Sequence, residues 1–297
     1  MTDRLHEAVR RQIESGAIVC PASRQRLHLD ANRLLATPDG AISYGVSASG
    51  VPMLITNAQL LEQYARSSEQ MNREYTAQHL QSEQRWTTRI RRNDYRTRAS
   101  ILAAAAVLEG LDDGAACVSI GGGPTRADPR YINLNIGPFP NVDLVGDAHQ
   151  LPYADASVDA IHCEAVFEHL HSPVIAAAEI FRVLKKGGKA YICTPFLQAY
   201  HGYPHHYQNF TITGHIKLFE DAGLRVLSSG TCVGPVYVLR NMIAVFIANY
   251  APRPLNRILR AGWSLLSMAI APLDIVLRDR PNAFVMASTT FLVAGKA

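Results

Sequence analysis

Charged residues are scarce in this chain. Asp, Glu, Lys and Arg make up 18% of the 297 residues, below the roughly one quarter that is usual, whereas hydrophobic residues make up 48%. Such a composition excludes an intrinsically disordered chain, because there is ample apolar surface to bury. The length suits one full-sized core with a small appendage rather than two large domains.

Cysteine is also scarce, and its spacing shows no framework. The count is odd and the intervals are long, which argues against a set of disulfides and predicts a reducing, cytoplasmic setting. No apolar signal core opens the chain, and the longest apolar stretch, 261–273, is too short and interrupted to span a bilayer. The five cysteines are Cys20, Cys117, Cys163, Cys193 and Cys232.

Positive charge is modest, at +4, but it is concentrated in two stretches. Each could contact phosphates or anionic lipid, although a solvated helix face is the commoner explanation for such runs. The first contains Arg85, Arg89, Arg91, Arg92, Arg96 and Arg98, and the second Arg240, Arg253, Arg257, Arg260, Arg278 and Arg280.

The order of apolar runs and turn residues divides the chain into five parts. Residues 1–56 predict a small β-rich module, 57–110 a helical lid, and 236–280 an apolar helical insertion before a final strand in 281–297. Residues 111–235 alternate strand and helix, which predicts a parallel sheet covered by helices. Strands are predicted at Ala116–Ile120, Tyr131–Ile136, Val158–His162, Lys189–Thr194, Leu224–Ser228 and Phe284–Val293, and helices at Pro173–Leu184 and Thr213–Ala222.

Small and polar residues follow the first two strands of the predicted sheet. Gly121, Gly122 and Gly123 come directly after the first strand, where glycine lets a ligand approach the backbone, although a plain turn is equally typical. Asn135 ends the second strand, where a polar side chain meets ribose hydroxyls in nucleoside-binding folds. A turn-forming role of Asn135 before Gly137-Pro138 remains the alternative.

Three later runs are more specific. Residues 145–161 read VGDAHQLPYADASVDAI, residues 167–170 read FEHL, and residues 180–188 read IFRVLKKGG. In this order they resemble class I S-adenosylmethionine-dependent methyltransferases, of the methyltransferase type 11-like group, and the resemblance covers roughly residues 115–235. It implies an α/β, doubly wound Rossmann-like fold with a seven-stranded sheet, and S-adenosylmethionine as the cofactor.

The resemblance assigns a role to each matching residue. Gly121, Gly122 and Gly123 would line the methionine end of the cofactor, Asn135 would bind the ribose, and Glu164 and Val166 would border the sulfonium. Asp147 would accept a hydrogen bond from the adenine amino group, and the Ala148 N–H would donate one; the family position of His169 is usually structural. Three features depart from the family: Ser119 and Asn135 replace acidic residues, and the first crossover is too short for a full helix.

The N-terminal module is similar to the short zinc-ribbon domain that accompanies some methyltransferases. Its knuckle reads Cys20-Pro21-Ala22-Ser23, with no second CxxC pair. Because a structural zinc site needs four ligands, we expect a degenerate ribbon that has lost its metal and is held by packing alone.

A histidine-rich loop follows the predicted fifth strand. His201, His205 and His206 are candidate bases, since histidine titrates near neutrality and ligands bind beyond the carboxyl ends of parallel strands. An ordered aromatic loop without catalytic function is the alternative. A metal site made of these three histidines is disfavoured, because adjacent histidines rarely face one ion and no carboxylate joins them; no metal is predicted.

The sequence therefore predicts an enzyme that transfers a methyl group from S-adenosylmethionine to a small-molecule oxygen, nitrogen or carbon atom. One alternative is an RNA or protein methyltransferase that docks through residues 85–98, and another is a non-catalytic cofactor-binding interaction protein. A dinucleotide oxidoreductase is disfavoured because the glycines lack the G-x-G-x-x-G spacing. Peripheral membrane contact and a homodimer through 236–280 remain open.

Overall fold

The structure is a computed structural model. It describes residues 5–30, 34–47, 49–56, 95–123, 126–202 and 205–297. The helix predicted over 57–94, with four arginines of the first basic stretch, lies outside the described residues. Within the remainder of the predicted lid, one helix, α2, is present at Arg98–Ala106.

An eight-stranded sheet forms the centre of the molecule, in the order β10-β11-β9-β8-β5-β6-β7-β4. The pairings from β4 to β9 are parallel, and β11 is antiparallel to both of its neighbours. The predicted doubly wound Rossmann-like fold is thus confirmed. The strands are β4 Met53–Leu54, β5 Cys117–Ile120, β6 Tyr131–Asn135, β7 Leu144–Gly146, β8 Val158–Glu164, β9 Leu184–Pro195, β10 Arg225–Val233 and β11 Thr289–Gly295.

The strands differ from the sequence prediction at three places. The short β7 was not predicted, and β4 adds an eighth strand from the N-terminal part of the chain. The prediction that the last strand starts at Phe284 is wrong, because Ala283–Met286 form a 3-10 turn. Phe284, Val285 and Met286 are 44–59% exposed there, so they gain no contact from pairing with the sheet.

Helices cover both faces of the sheet. One face packs against α3 (Pro173–Val183) and α4 (Ile212–Asp221), and the other packs against α2. Threonines begin two of these helices: Thr97 Oγ1 accepts from Ser100 N in α2, and Thr211 Oγ1 accepts from Gly214 N in α4, both at 3.1 Å. The described residues between β5 and β7 contain no helix.

The N-terminal segment covers the sheet where those crossover helices are missing. Val9 and Ile13 of α1 (Glu7–Ser15) lie in the same buried cluster as Val118 and Ile132 of the sheet. A small antiparallel sheet, β1-β2-β3, completes this layer. Its strands are β1 His28–Leu29, β2 Leu35–Ala36 and β3 Ser43–Tyr44.

The zinc-ribbon resemblance of this segment is not confirmed. Cys20 is buried, and its Sγ lies 3.2 Å from the Tyr44 hydroxyl in a hydrogen bond. Packing and hydrogen bonds therefore hold this part of the chain. The boundary at residue 56 remains a prediction, since β4 joins the large sheet beside β7.

Three helices separate β10 from β11: α5 Pro235–Tyr250, α6 Arg253–Ile270 and α7 Leu273–Leu277. Asp274 of α7 holds the start of α5, just after β10, since its Oδ1 accepts from Val236 N at 3.1 Å. The closeness of this joint requires Gly234, since a Cβ there would lie 2.5 Å from Arg278 Cβ. Among the described residues, no helix combines the length and apolar character needed to cross a bilayer.

Candidate functional site

The predicted cofactor residues follow successive strands and meet at one edge of the sheet. Because β5 to β8 are parallel, the segments after their carboxyl ends lie side by side. The chain runs from β5 to β6 and β7 on one side and then crosses back to β8 on the other. In open α/β sheets, ligands bind at such a switch point, which here lies between β5 and β8.

The glycine loop is closely packed on one side and open on the other. Gly121 has φ +72°, and a Cβ there would lie 2.1 Å from Val166 Cγ2, so the structure brings these two predicted residues together. A Cβ on Gly122 would lie 2.6 Å from Asn133 Oδ1, whereas no atom of the described residues lies within 4 Å of a Cβ on Gly123. The loop therefore has space beside Gly123.

Two asparagines of β6 support this loop. The Asn135 amide donates to the Gly122 carbonyl at 3.0 Å, and its Oδ1 accepts from Ile136 N at 2.7 Å. Asn133, which the sequence analysis missed, is buried and donates to the Asn141 carbonyl at 3.0 Å. Asn135 is thus fixed at the strand end, and its oxygen can accept one further hydrogen bond.

Asp147 carries the negative charge of this edge. Its Oδ1 accepts from the backbone N of His149 at 2.9 Å and lies 2.8 Å from His149 Nδ1. Burial raises the pKa of the Asp147 carboxyl, but the hydrogen bonds from His149 outweigh burial, and the pKa lies below its usual value. The His149 ring stacks on His171 with a centroid distance of 4.1 Å, which fixes the turn containing Ala148.

Glu164, at the end of β8, is paired with Arg96, an arginine that the sequence analysis placed in the first basic stretch. Arg96 NH2 lies 2.8 Å from both carboxylate oxygens. Burial lowers the pKa of the neighbouring His162 to about 4, so this ring is neutral at physiological pH. Arg96 was predicted in a stretch available to phosphates or lipid; instead it balances the charge of Glu164.

A second set of residues lies beyond β8 and β9. The loop with the predicted histidines is fastened to the 3-10 turn Phe167–His169. Gln208 Nε2 donates to the carbonyls of Phe167 and Leu170 at 2.7 and 2.8 Å, and Tyr207 N donates to the Glu168 carbonyl at 2.8 Å. This fastening places the loop against Glu168, a neighbour that the sequence analysis missed.

The three predicted histidines have different surroundings. The rings of His201 and His206 are 4.4 Å apart, and His201 Nε2 lies 3.7 Å from Glu168 Oε1, which raises the pKa of His201. His206 Nε2 bonds Asn209 Oδ1 at 2.7 Å. His205 is exposed and contributes its carbonyl oxygen to the cluster. The structure thus brings together His201 and His206 but leaves the ring of His205 at the surface.

The run 180–188 has a structural role. Glu179 Oε2 accepts from Leu151 N at 2.8 Å, and Arg182 Nε donates to Glu179 Oε1 at 2.6 Å. Arg182 also donates to the Leu151 carbonyl at 3.1 Å, and Arg24 donates to the same carbonyl at 2.9 Å. These bonds hold the segment that follows Asp147 against α3 and the N-terminal layer.

Comparison with other proteins finds distant relatives. The chain is 39% identical over 70 residues to an uncharacterized 37.1 kDa protein in transposon TN4556 of Streptomyces fradiae; this region covers 24% of this chain and 19% of that protein. Among solved structures, it is similar to 1,6-didemethyltoxoflavin-N1-methyltransferase of Burkholderia thailandensis (14% identity, TM-score 0.43, 91% of this chain, 99% of that one). It also resembles phosphoethanolamine N-methyltransferase 2 of Haemonchus contortus (16%, TM-score 0.42, 67% and 52%). The chain thus spans about half the length of that enzyme and a fifth of the transposon protein.

A family model for a methyltransferase domain matches residues 129–192. The matched segment runs from just before β6 into β9. It includes Asn135, Asp147, Ala148, Glu164 and Val166, which are predicted cofactor residues. The match lies within the part of the chain whose sequence runs resemble methyltransferases, and this part has the predicted α/β, Rossmann-like fold.

Proposed function

We propose that the protein is an S-adenosylmethionine-dependent methyltransferase that acts on an oxygen, nitrogen or carbon atom of a small molecule. The observation that carries this proposal is the position of four strand ends, three of which lie in the matched residues 129–192. Gly123, Asn135, Asp147 and Glu164 follow four neighbouring strands at the switch point of the sheet. These are the places at which a nucleoside cofactor needs open backbone, a ribose ligand and an acidic group.

The residues present fit S-adenosylmethionine. Asp147 is held ionised and would accept a hydrogen bond from the adenine amino group, Asn135 Oδ1 would accept one from a ribose hydroxyl, and the space beside Gly123 would admit the methionine end. Bound S-adenosylmethionine supplies a methyl group activated by its sulfonium. Asn135 binds more weakly than a carboxylate would, because it lacks charge-assisted hydrogen bonding.

The chain's own contribution is to position the acceptor and, where needed, to remove its proton. Of the predicted bases, His201 has the most suitable surroundings. Its Nδ1 lies 2.9 Å from the Ala199 carbonyl, which leaves Nε2 able to accept a proton beside Glu168. His206 has hydrogen bonds at both ring nitrogens, and the ring of His205 faces solvent, so both are weaker candidates.

A pair of glycine substitutions tests the cofactor site. Gly123→Ala places a methyl group where the part of the chain that the structure describes has no atom within 4 Å, so stability should change by less than about 1 kcal/mol. Affinity for S-adenosylhomocysteine, measured by calorimetry, should nevertheless fall at least tenfold. Gly45→Ala is the matched control, since its added Cβ also meets nothing within 4 Å, and it should change neither quantity. Unchanged affinity of Gly123→Ala would place the ligand elsewhere.

Asp147→Asn tests the adenine contact at the same edge. The amide keeps the shape of the side chain but replaces a charged acceptor, and a hydrogen bond to a charged group contributes about 1.5–3 kcal/mol. Affinity for S-adenosylhomocysteine should therefore fall roughly tenfold or more.

The interaction-protein alternative predicts binding without methyl transfer to any small hydroxylated or amine acceptor, and an acceptor screen separates it from the enzyme. The RNA alternative depends on arginines that mostly lie outside the described residues, and Arg96 is already paired with Glu164.

We also propose that α6 contacts an anionic lipid surface. This helix turns its apolar residues outward, at spacings of three and four, and its inner side carries Asn256, Trp263 and the buried Ser267. Exposed arginines lie on the polar side of the helix, as in amphipathic helices that bind in a membrane interface. The outward apolar residues are Leu255, Ile258, Leu259, Leu265 and Leu266, 43–71% exposed, and the arginines are Arg253, Arg257 and Arg260.

Co-sedimentation with vesicles tests the lipid contact. The protein should bind phosphatidylglycerol vesicles more strongly than phosphatidylcholine vesicles, and Ile258→Asp should abolish binding because a carboxylate resists transfer into the interface. Val174→Asp, a change at a similarly exposed apolar residue of α3, is the control. A concentration-dependent dimer that Ile258→Asp dissociates, without vesicle binding, would instead assign this face to a homodimer.

A further inference from the structure

The most unusual polar group outside the cofactor site is the carboxylate of Glu168. The residue is 0% exposed, and neither carboxylate oxygen has a hydrogen-bond partner among the described residues. It lies in the 3-10 turn directly after β8, beside the histidine loop. Burying an ionised carboxylate is costly unless a cation or hydrogen-bond donors compensate it. The position therefore calls for a positively charged partner.

Two imidazoles lie next to this carboxylate. His201 Nε2 is 3.7 Å and His169 Nε2 is 3.8 Å from Glu168 Oε1. The other ring nitrogen of each histidine faces a backbone carbonyl: His201 Nδ1 is 2.9 Å from Ala199 O, and His169 Nδ1 is 2.6 Å from His205 O. Since a carbonyl only accepts hydrogen bonds, each Nδ1 carries the hydrogen, and in the neutral form of each ring Nε2 presents a lone pair toward Glu168.

Lone pairs from two neutral imidazoles beside a carboxylate do not stabilise one another, but they suit a cation between them. Histidines that bind metals typically donate their second ring nitrogen to a carbonyl or carboxylate, which fixes the tautomer and the ring orientation. Both histidines have this support here. The three candidate ligand atoms lie within 4.8 Å of one another, a separation that one ion can bridge after small side-chain movements.

We infer that Glu168, His169 and His201 bind one divalent transition-metal ion. Two imidazole nitrogens and one carboxylate oxygen form the ligand set of many Zn²⁺ sites and of non-haem Fe²⁺ sites. Three protein ligands leave coordination positions open to water or to an oxygen of a bound molecule. The sequence analysis disfavoured a metal because no carboxylate joined the three loop histidines; folding supplies Glu168, and His169 takes the place of His205 and His206.

The ion would occupy the position of a proton on His201 Nε2. Metal binding and the role of His201 as a base therefore exclude each other, and an experiment can decide between them. The inference rests on the geometry around Glu168 and does not require the cofactor proposal to hold. Its test accordingly uses metal binding, with S-adenosylhomocysteine affinity measured separately on the same samples.

The full-length protein should be stripped with a chelator and titrated with Zn²⁺, with Fe²⁺ under anaerobic conditions, and with Co²⁺ as an optical probe. We expect one ion per chain by elemental analysis, and visible d–d absorption from Co²⁺ bound to nitrogen and oxygen. Glu168→Gln and His201→Gln should each weaken binding by more than the roughly 10- to 100-fold that loss of a supporting partner costs. His201 is partly exposed, so its substitution keeps the test valid if Glu168→Gln fails to fold.

Two controls separate a defined site from general affinity of histidine for metals. His28→Ala removes an exposed histidine of β1, and His205→Ala removes a loop ring but keeps the carbonyl that supports His169. Both should bind the ion like the unaltered protein. Less than one bound ion per chain would overturn the inference, and so would variants Glu168→Gln and His201→Gln that bind the ion as tightly as the unaltered protein. Either result would leave His201 as a protonated partner of Glu168. Affinity for S-adenosylhomocysteine should persist in Glu168→Gln and His201→Gln, so failure of the metal site is distinguishable from failure of the cofactor site.

Discussion

Acid should destabilise this protein through a histidine that the fold keeps neutral. His215 lies in α4 between Phe210 and Phe219, is 1% exposed, and makes one hydrogen-bond contact, from Nδ1 to Thr290 Oγ1 at 3.2 Å. Its Nε2 has no partner among the described residues. Burial lowers the pKa of His215 from 6.5 to about 3.

The sign and size of the effect follow from proton linkage. Above pH 6.5 the ring is neutral in both states, and the full stability is present. Between pH 6.5 and 3, His215 binds a proton in the unfolded chain but not in the folded protein, so the free energy of unfolding falls as the pH falls. From pH 8 to pH 5 this loss is about 2 kcal/mol for His215. His162, with its pKa lowered to about 4, adds a similar loss over the same interval.

Urea denaturation at pH 8 and pH 5 measures this loss directly. His215→Gln keeps a polar group facing Thr290 but removes the titration, so the difference between the two pH values should shrink by about 2 kcal/mol. The comparison is between pH values within each variant, so any constant cost of the substitution cancels. His28→Gln, at an exposed histidine, should leave the difference unchanged. Equal pH dependence of His215→Gln and the unaltered protein would refute the reasoning.

Two further predictions concern the support of the cofactor edge. Gly121→Ala should lower the free energy of unfolding by about 1–2 kcal/mol because of its positive φ, and by more once Val166 is displaced. It should also weaken S-adenosylhomocysteine binding. Urea denaturation and calorimetry measure these two effects, and a stability equal to that of Gly123→Ala would contradict the prediction. Arg182→Met should cost about 3 kcal/mol, because it leaves the buried Glu179 carboxylate with a long contact to Arg24 as its only cationic partner beside the hydrogen bond from Leu151 N. Thermal unfolding checks this, and Arg24→Met, at a more exposed partner, should cost less than about 1 kcal/mol.

Much of the central fold was predictable because its signals are local. Apolar runs of strand length, separated by amphipathic segments, located β5, β6, β8 and β9 within a few residues of their observed positions, apart from the early start of β9. The short β7 escaped because three residues carry too little periodicity to separate a strand from a loop. Short strands were predicted within residues 1–56, but the place of β4 in the large sheet was not, because its partner, Val145-Gly146, lies nearly a hundred residues later in the chain.

The candidate sites divide in the same way. Gly121 and Asn135 could be proposed from the sequence because each stands at a fixed offset from a predicted strand end, and parallel strands bring those ends together. Asp147 could be proposed because the run 145–161 resembles a methyltransferase motif, although the strand before it was not predicted. Arg96 could not be assigned to Glu164, nor Glu168 to His201, since these pairs are 68 and 33 residues apart in the chain. Side-chain pairs at such separations depend on how loops pack, which no local pattern specifies.

The sequence by itself determined the class of fold, the resemblance to methyltransferases and the order of residues along the proposed cofactor edge, because strand periodicity and short motifs are properties of neighbouring residues. Only the tertiary structure decided which charges are neutralised, which histidine faces a buried carboxylate, and which face of α6 is exposed. Those outcomes depend on burial, and burial is a property of contacts between distant segments. A carboxylate such as Glu168 is ordinary in the sequence and becomes a candidate ligand only when the fold removes it from water.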